Sequence, residues 1–261
     1  MPYFEKTLEI ARSFGSASNS YDVSARLQRY SGKHLMTFLP NRNNLTVVDL
    51  GCGTGFFTDI LATKYNRVIG FDLSKKMLSF AQEKRNKDIY WLEADANRLP
   101  FQNNSVDLIY SNLMIQWCDP LEKTLNEILR VLKPGGQFLF STLTEGTLFE
   151  LKSSWKQVDD DQHVIDFKNV QNLEKLFNSS QSTLIKQKNH QIILEYENVL
   201  HLARELKGLG ANKVPNRINK GLSGKTKWQK MCDAYQDFQE PNGIFPASYQ
   251  VFSGLMVKLN T

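Results

Sequence analysis

Apolar residues along the chain fall into two alternating periods. Leu45 to Leu50 is an apolar run of strand length with β-branched residues at its centre, and comparable runs are predicted as strands at 67–72, 88–93, 106–111 and 136–142. Between them, apolar positions recur at helical spacing over 56–64, 75–85 and 121–132. Strand and helix in alternation predict an α/β fold, a doubly wound parallel sheet with right-handed crossovers. Lys133-Pro134-Gly135-Gly136 is a helix stop and turn before the fifth strand. The first forty residues are predicted as helices. Tyr21 to Leu39 carries Val23, Leu27, Tyr30, Leu35 and Phe38 at helical intervals, closed by Pro40 and the Asn-rich 41–44. After Thr142 the pattern changes to helices at about 147–158 and 169–178, a strand pair near 182–188 and 190–195, and a late strand over 249–257. No internal repeat or low-complexity segment interrupts the chain.

Three glycines at alternate positions, Gly51, Gly53 and Gly55, end the first strand and precede a helix. Glycine permits positive φ, and its missing side chain lets a ligand lie against the backbone. The spacing G-x-G-x-G departs from the G-x-G-x-x-G of a dinucleotide site, and no Lys follows, so it is not a P-loop. The second strand ends at Asp72, where a carboxylate can accept both hydroxyls of a ribose. With Asp49 and Asp95 it places acids at three successive strand ends. These residues imply a nucleotide-like cofactor at the carboxyl ends of the strands.

Composition narrows the class. At 261 residues the chain suits one domain with an insertion, and 41% hydrophobic residues fit a globular protein. No apolar stretch has the length of a membrane helix, and the N-terminus lacks a signal-peptide pattern. Cys52, Cys118 and Cys232 are too scattered for a metal site and imply a reduced, cytoplasmic setting. A net charge of +5 and a pI near 9.0 point to an acidic partner. The charge is concentrated. From Arg204 to Lys230 the cations are Arg204, Lys207, Lys213, Arg217, Lys220, Lys225, Lys227 and Lys230, and Glu205 is the sole acid. That run is either a solvated face or a docking surface.

Asp49-Leu50-Gly51-Cys52-Gly53-Thr54-Gly55 resembles the first motif of class I S-adenosylmethionine-dependent methyltransferases. Further segments are similar to the malonyl-acyl-carrier-protein O-methyltransferases of biotin synthesis, the BioC family. They are Phe14-Gly15-x-Ala17-x-x-x-Tyr21 with Leu27-Gln28-Arg29, Ser111-Asn112-Leu113-x-x-Gln116-Trp117, and Ser141-Thr142-Leu143 with Gly146-Thr147-Leu148. Trp155, Val158-Asp159 and His163 continue the likeness, as do Arg204-x-Leu206-Lys207-x-Leu209-Gly210-Ala211-Asn212, Gly221-Leu222-Ser223, Pro246 and Tyr249. Asp160-Asp161-Gln162 is more acidic than that family's pattern.

The resemblance implies a Rossmann-like class I methyltransferase with a seven-stranded, mostly parallel sheet and helices on both faces. Residues 1–44 would form a helical lid, 45–196 with 244–261 the core, and 197–243 a basic helical insertion that docks the substrate carrier. Cofactor contacts fall to Tyr21, Gln28, Gly51, Cys52, Gly53, Gly55, Asn112 and Leu113. Asp72 would hold the ribose, Leu73 and Met77 would flank the adenine, and Asp95 with the Ala96 N–H would meet its edge. Asp49 would either orient the Gly turn or meet the ammonium of the methionine moiety.

The implied reaction methylates the free carboxylate of a malonyl group on acyl-carrier protein or coenzyme A. A carboxylate is ionised at neutral pH and is already a nucleophile, so positioning replaces general-base chemistry. Candidates to hold it are Arg204, Lys207, His163, Tyr21 and Gln116, with Arg204 first for its charge. The expected protein is a monomer that binds neither metal, nucleic acid nor membrane. His34, His190 and His201 are expected to be structural or exposed. A methyltransferase for another small metabolite and an RNA methyltransferase stay open as alternatives, although the basic run lacks the interleaved aromatics that stack bases.

Overall fold

The computed structural model describes residues 3–211 and 224–260. Three helices, α1 (Tyr3–Ser16), α2 (Ser18–Ser24) and α3 (Arg26–Met36), precede the sheet. The Tyr21–Leu39 stretch is therefore broken at Ala25, whose backbone leaves the helical region between α2 and α3. The alternating unit then runs β1 (Thr46–Leu50), α4 (Phe56–Ala62), β2 (Arg67–Asp72), α5 (Lys75–Lys84), β3 (Tyr90–Glu93), β4 (Val106–Asn112), α6 (Leu121–Val131) and β5 (Leu132–Leu143). It continues with α7 (Phe149–Lys156), α8 (Val170–Phe177), β6 (Ser182–Tyr196), α9 (Val199–Leu209), α10 (Lys225–Tyr235) and β7 (Phe245–Lys258).

The seven strands lie in the order β3-β2-β1-β4-β5-β7-β6. β1 to β5 are parallel, and β7 is antiparallel to both β5 and β6. The strand order reverses between β1 and β4, so a crevice opens there at the carboxyl ends, the switch point where ligands bind in such sheets. The expected strand pair between 182 and 195 is one continuous strand. Asn189, which falls between the two expected strands, is extended opposite Phe252. β7 supplies an unbroken template along that length, and no glycine or proline in β6 stops it. Pro246 is tolerated inside β7 because pairing with β5 begins only at Val251, so one side there has no strand to bond.

Aromatic rings fill the space between the sheet and α8. Phe140 stacks on Phe177 at 4.2 Å and on Phe138 at 5.1 Å, with Phe252 edge-on at 5.7 Å, and all four are fully buried. Phe140→Ala is expected to cost about 3–5 kcal/mol, the range for a buried aromatic replaced by a cavity. Denaturant unfolding at a fixed pH measures it, and a loss below about 1 kcal/mol would mean that the stack collapses to fill the space. A second core lies under α3, where Gly32 lets the helix approach the Phe57 ring. A Cβ there would stand 2.1 Å from Phe57 Cζ.

Candidate active site

β1 ends and the chain turns through Gly51, Gly53 and Gly55 at φ of 75°, 55° and 75°, left-handed values that favour glycine. The turn is anchored to β2, since the N–H groups of Gly51 and Cys52 both donate to the Phe71 carbonyl at 2.7 and 3.0 Å. A Cβ on Gly53 would meet nothing nearer than a Tyr21 ring carbon at 4.0 Å, so its backbone faces open space. A Cβ on Gly51 would stand 2.2 Å from Met114 Cγ, so that glycine is needed for close packing as well as for φ.

Asp72 closes the β2 end. One carboxylate oxygen accepts the Gly53 N–H at 2.9 Å, and the other accepts the Ser74 N–H at 2.7 Å. Burial raises its pKa against the lowering effect of those backbone N–H groups. Asp49 is 3% exposed and takes the Thr58 hydroxyl at 2.6 Å. Burial pushes it up to about 7; the Thr58 bond opposes the shift and the Asp72 charge adds to it. Tyr21 reaches the same place from α2. Burial first, then the charges of Asp72, Asp22 and Asp49, push its phenol far up, so it remains an O–H donor. Asp22 is a residue that sequence reading missed. It accepts the Thr54 hydroxyl and pairs with Arg85, tying α2 to the Gly turn.

The crevice contains about 830 Å³ of space including the open solvent at its mouth. Asp72, Leu73, Met77, Asp95, Ala96, Asn112, Leu113, Gly51 and Gly53 all line it, and Thr7, Ile10 and Phe14 of α1 cover it. One Asp95 oxygen accepts both N–H groups offered by Asn97, at 2.9 Å each. Asn112 spans β5 and α3, donating to the Gln28 carbonyl at 2.9 Å and accepting from Ser141 Oγ at 2.8 Å. Leu113 follows in a left-handed conformation, φ 51°, held by the Ser141 carbonyl and hydroxyl. That strain at a strand end is the kind retained at functional positions.

Behind the Gly turn, a smaller recess is lined by Gln28, Asp49, Cys52 and Tyr21. Gln28 Oε1 is buried without a hydrogen-bond donor. Burial raises the Cys52 thiol well above its ordinary value, which leaves it neutral and inert. An acceptor lacking a donor beside a buried carboxyl suits an ammonium group. An acidic strand end beside open glycine backbone suits a ribose. These features fit S-adenosylmethionine, with its amino-acid end in the recess and its adenosine in the crevice.

A second cavity of about 1340 Å³, again including its mouth, opens beside the first, and Phe14, Tyr21, Leu113 and Trp117 line both. Its walls are mainly apolar, from α3, α7, α9 and β7. Among the described residues that line it, His163 is the one basic side chain and Glu205 the one acid. Glu205 is neutralised by Arg26 at 2.8 Å and takes the Tyr196 hydroxyl at 3.1 Å. Neither Arg26 nor Tyr196 was signalled by the sequence, although Glu205 stood out as the lone acid in a basic run.

His163 stacks on Trp155, 3.6 Å between centroids with planes 4° apart, and its Nε2 meets Asp159 Oδ1 at 2.7 Å. Lys227 meets the other Asp159 oxygen at 2.7 Å. Burial raises the Asp159 pKa, but the bonds from Lys227, His163 and the Asp161 N–H outweigh it and hold the carboxyl down at about 2. The ligand atoms of Asp159, Asp161 and His163 lie within 4.8 Å of one another, yet the Lys227 ammonium already occupies Asp159. Gln116 is engaged within the protein, donating to the Leu113 carbonyl at 2.6 Å and accepting from Thr142 at 3.2 Å. Arg204 and Lys207 do not reach this cavity. They sit on the opposite face of α9, which at an i, i+3 spacing turns them together away from Leu206 and Leu209. Lys213, Arg217 and Lys220 of the basic run lie outside the described residues.

A methyltransferase-domain family model matches residues 48–140. A solved Bacillus halodurans structure superposes with a TM-score of 0.63 at 16% identity, over 87% of this chain and 98% of that one. The [4+2]-cyclase SpnF superposes at 0.57 and 15% identity, over 90% and 82%, so these likenesses carry the fold alone. Sheet order, Gly turn and acidic strand end together define a class I S-adenosylmethionine-dependent methyltransferase. The malonyl-[acyl-carrier protein] O-methyltransferase of Pectobacterium atrosepticum is 35% identical over 95% of this chain and 96% of its own length. The chain belongs to the malonyl-[acyl-carrier protein] O-methyltransferase family. The biotin biosynthesis bifunctional protein BioHC of Cellvibrio japonicus is 39% identical over 95% of this chain, which spans 50% of that longer protein.

Proposed function

We propose that this protein transfers a methyl group from S-adenosylmethionine to the free carboxylate of a malonyl thioester on acyl-carrier protein. The observation that carries this is the junction of the two cavities. The crevice suited to the cofactor opens into an apolar chamber across Phe14, Tyr21, Leu113 and Trp117, and that chamber has one basic wall residue, His163. A carrier-bound acyl chain needs such a chamber, and its terminal anion needs one donor within it.

When bound, the cofactor supplies an electrophilic methyl on its sulfonium. Asp72 accepts the ribose hydroxyls, Leu73 and Met77 flank the adenine, and Asp95 with Ala96 takes its edge. Gln28 Oε1 and Asp49 receive the ammonium. Leu113 shapes the junction, and Asn112 lines the cofactor crevice. His163, held at Nε2 by Asp159 and packed on the Trp155 face, donates from its other nitrogen, Nδ1, to one carboxylate oxygen when the ring carries both protons, and leaves the other oxygen free to attack. The apolar walls exclude water and hold the reactants in line, which supplies most of the acceleration in a reaction that needs no base. Tyr21, a permanent donor, closes the junction from α2. The products would be the malonyl methyl ester, its charge masked, and the neutral thioether that remains when the methyl–sulfur bond breaks.

The test is incubation with S-adenosylmethionine and malonyl-carrier protein. The expected result is a methyl ester on the malonyl group by intact-protein mass spectrometry and no methylation of acetyl-carrier protein, which lacks the carboxylate. Methylation of neither carrier would overturn the proposal.

A pH dependence follows for the cofactor. Asp49 is neutral below about 7 and ionised above it, and an ammonium favours the ionised form. Cofactor affinity is therefore expected to strengthen as pH rises through about 7, with release of a proton. Without ligand the sign reverses. The folded state holds the extra proton between the ordinary carboxyl pKa and about 7, so this group's contribution to stability falls as pH rises across that window. In Asp49→Asn both trends should vanish. Calorimetric titration in buffers of different ionisation enthalpy reads the proton count, and zero proton release by the wild type would remove Asp49 from this role.

A further inference from the structure

We infer that Arg12, Arg204 and Lys207 form a docking surface for the acidic face of the carrier protein, built jointly by α1 and α9. This rests on the proposed substrate and assigns its partner to a place outside the cavity. The three cations come from helices far apart in the chain and line one open hollow. All three are exposed, and none has an ion-pair partner among the described residues. Glu9 is the one acid that lines the hollow, leaving an excess of positive charge.

The hollow is rigidly set. Ser13 Oγ donates to the Gly210 carbonyl at 2.8 Å, and Ser20 Oγ donates to the Gly208 carbonyl at 2.9 Å. These bonds pin the last turn of α9 to α1 and α2, and they cover carbonyls whose partial negative charge would weaken the field of the cations. Gly208 and Gly210 permit the approach. A Cβ on Gly208 would lie 2.3 Å from Ser24 Oγ, and one on Gly210 would lie 2.5 Å from the Ser13 carbonyl oxygen.

The same helix is a wall of the substrate cavity. Ala203, Leu206 and Leu209 face the cavity, while Arg204 and Lys207 face the hollow. A carrier held on the outer face of α9 is therefore beside the chamber that its prosthetic arm must enter. Complementary fields at such a surface raise association rates and weaken with salt. Arg204 and Lys207 thus serve the carrier's protein surface and leave the malonyl carboxylate to the cavity.

The test is the triple variant Arg12→Glu, Arg204→Glu, Lys207→Glu with three substrates: malonyl-carrier protein, malonyl-4′-phosphopantetheine and malonyl-pantetheine. Binding of fluorescently labelled carrier protein is measured alongside turnover, so the surface is judged even if no thioester is methylated. The expected result is a fall of about tenfold or more in kcat/KM for the carrier and a matching loss of carrier binding. Turnover of both small thioesters should barely change. In the wild type, added salt should weaken carrier turnover and leave malonyl-pantetheine unaffected. Unchanged cofactor affinity and unfolding midpoint establish that the variant is folded, and Arg12→Ala alone with the salt series replaces it if it is not. A loss shared by malonyl-phosphopantetheine would assign the hollow to the arm's phosphate and overturn the proposal. Equal losses on all three substrates, or carrier binding retained by the variant, would also overturn it.

Discussion

Replacing Asp72 by Ala is expected to weaken S-adenosylmethionine binding about ten- to hundredfold while the fold survives. With water taking the place of the carboxylate at the ribose, the net loss for the pair of hydroxyls is about 1.5–3 kcal/mol, and about 1.4 kcal/mol is a factor of ten. Asp72 acts twice. Its oxygens hold the Gly53 and Ser74 N–H groups, which set the glycine turn against β2, and their remaining lone pairs are available to a ribose. The Ala variant loses both functions. Asp72→Asn keeps one acceptor oxygen and most of the shape, so it should retain part of the affinity. Isothermal titration with the cofactor and with its demethylated product measures the loss. Unchanged affinity in the Ala variant would take Asp72 out of the site.

The second large effect is expected at His163. His163→Leu keeps an apolar body against Trp155 and removes the donor. The KM for malonyl-carrier protein should rise about tenfold or more, the value of one charge-assisted hydrogen bond, with cofactor affinity unchanged. Asp159→Asn should give a smaller rise, because it loosens the ring without removing it, and it also releases Lys227. A KM unaltered by His163→Leu would place the carboxylate on another donor. A parallel loss of cofactor affinity would mean that the cavity wall had collapsed and the junction with it.

The crevice at the strand ends was legible because its determinants are local. A glycine triplet between a strand and a helix, and acids at strand ends, keep their meaning wherever the sheet stands. Gly51, Gly53, Asp72, Leu73, Met77, Asp95 and Asn112 all line the crevice as the strand-end reading requires. The substrate half was only partly legible. Arg204 was the first choice for the carboxylate because charge can be counted in a sequence, but facing cannot be when a helix is short and its partner unknown. A step of one residue along α9 decides whether a side chain joins Leu206 in the cavity or Lys207 outside it. Asp22 and Arg26 left no signal, because each acts on a residue distant in sequence, and Tyr196 reaches Glu205 from a strand to the helix that follows it. The division at Asn189 failed for the same reason. The polar stretch 186–191 between Leu184-Ile185 and Ile192-Ile193-Leu194 divides the apolar pattern in two, and only pairing with β7 keeps it extended.

By itself, the sequence determined the alternating α/β architecture, the glycine turn, the acid at the end of β2 and hence the class of cofactor. Periods of two and of three to four residues, and backbone freedom at glycine, are properties of short segments, so they survive without knowledge of the fold. The tertiary structure alone decided which side chains meet across the chain. It paired Glu205 with Arg26, stacked His163 on Trp155, joined the two cavities at Tyr21 and Leu113, and brought Arg12 beside Arg204. Those meetings depend on how helices outside the sheet pack over its carboxyl edge. Packing is fixed by complementary shape between elements, and a single chain read in order does not contain that information in any local pattern.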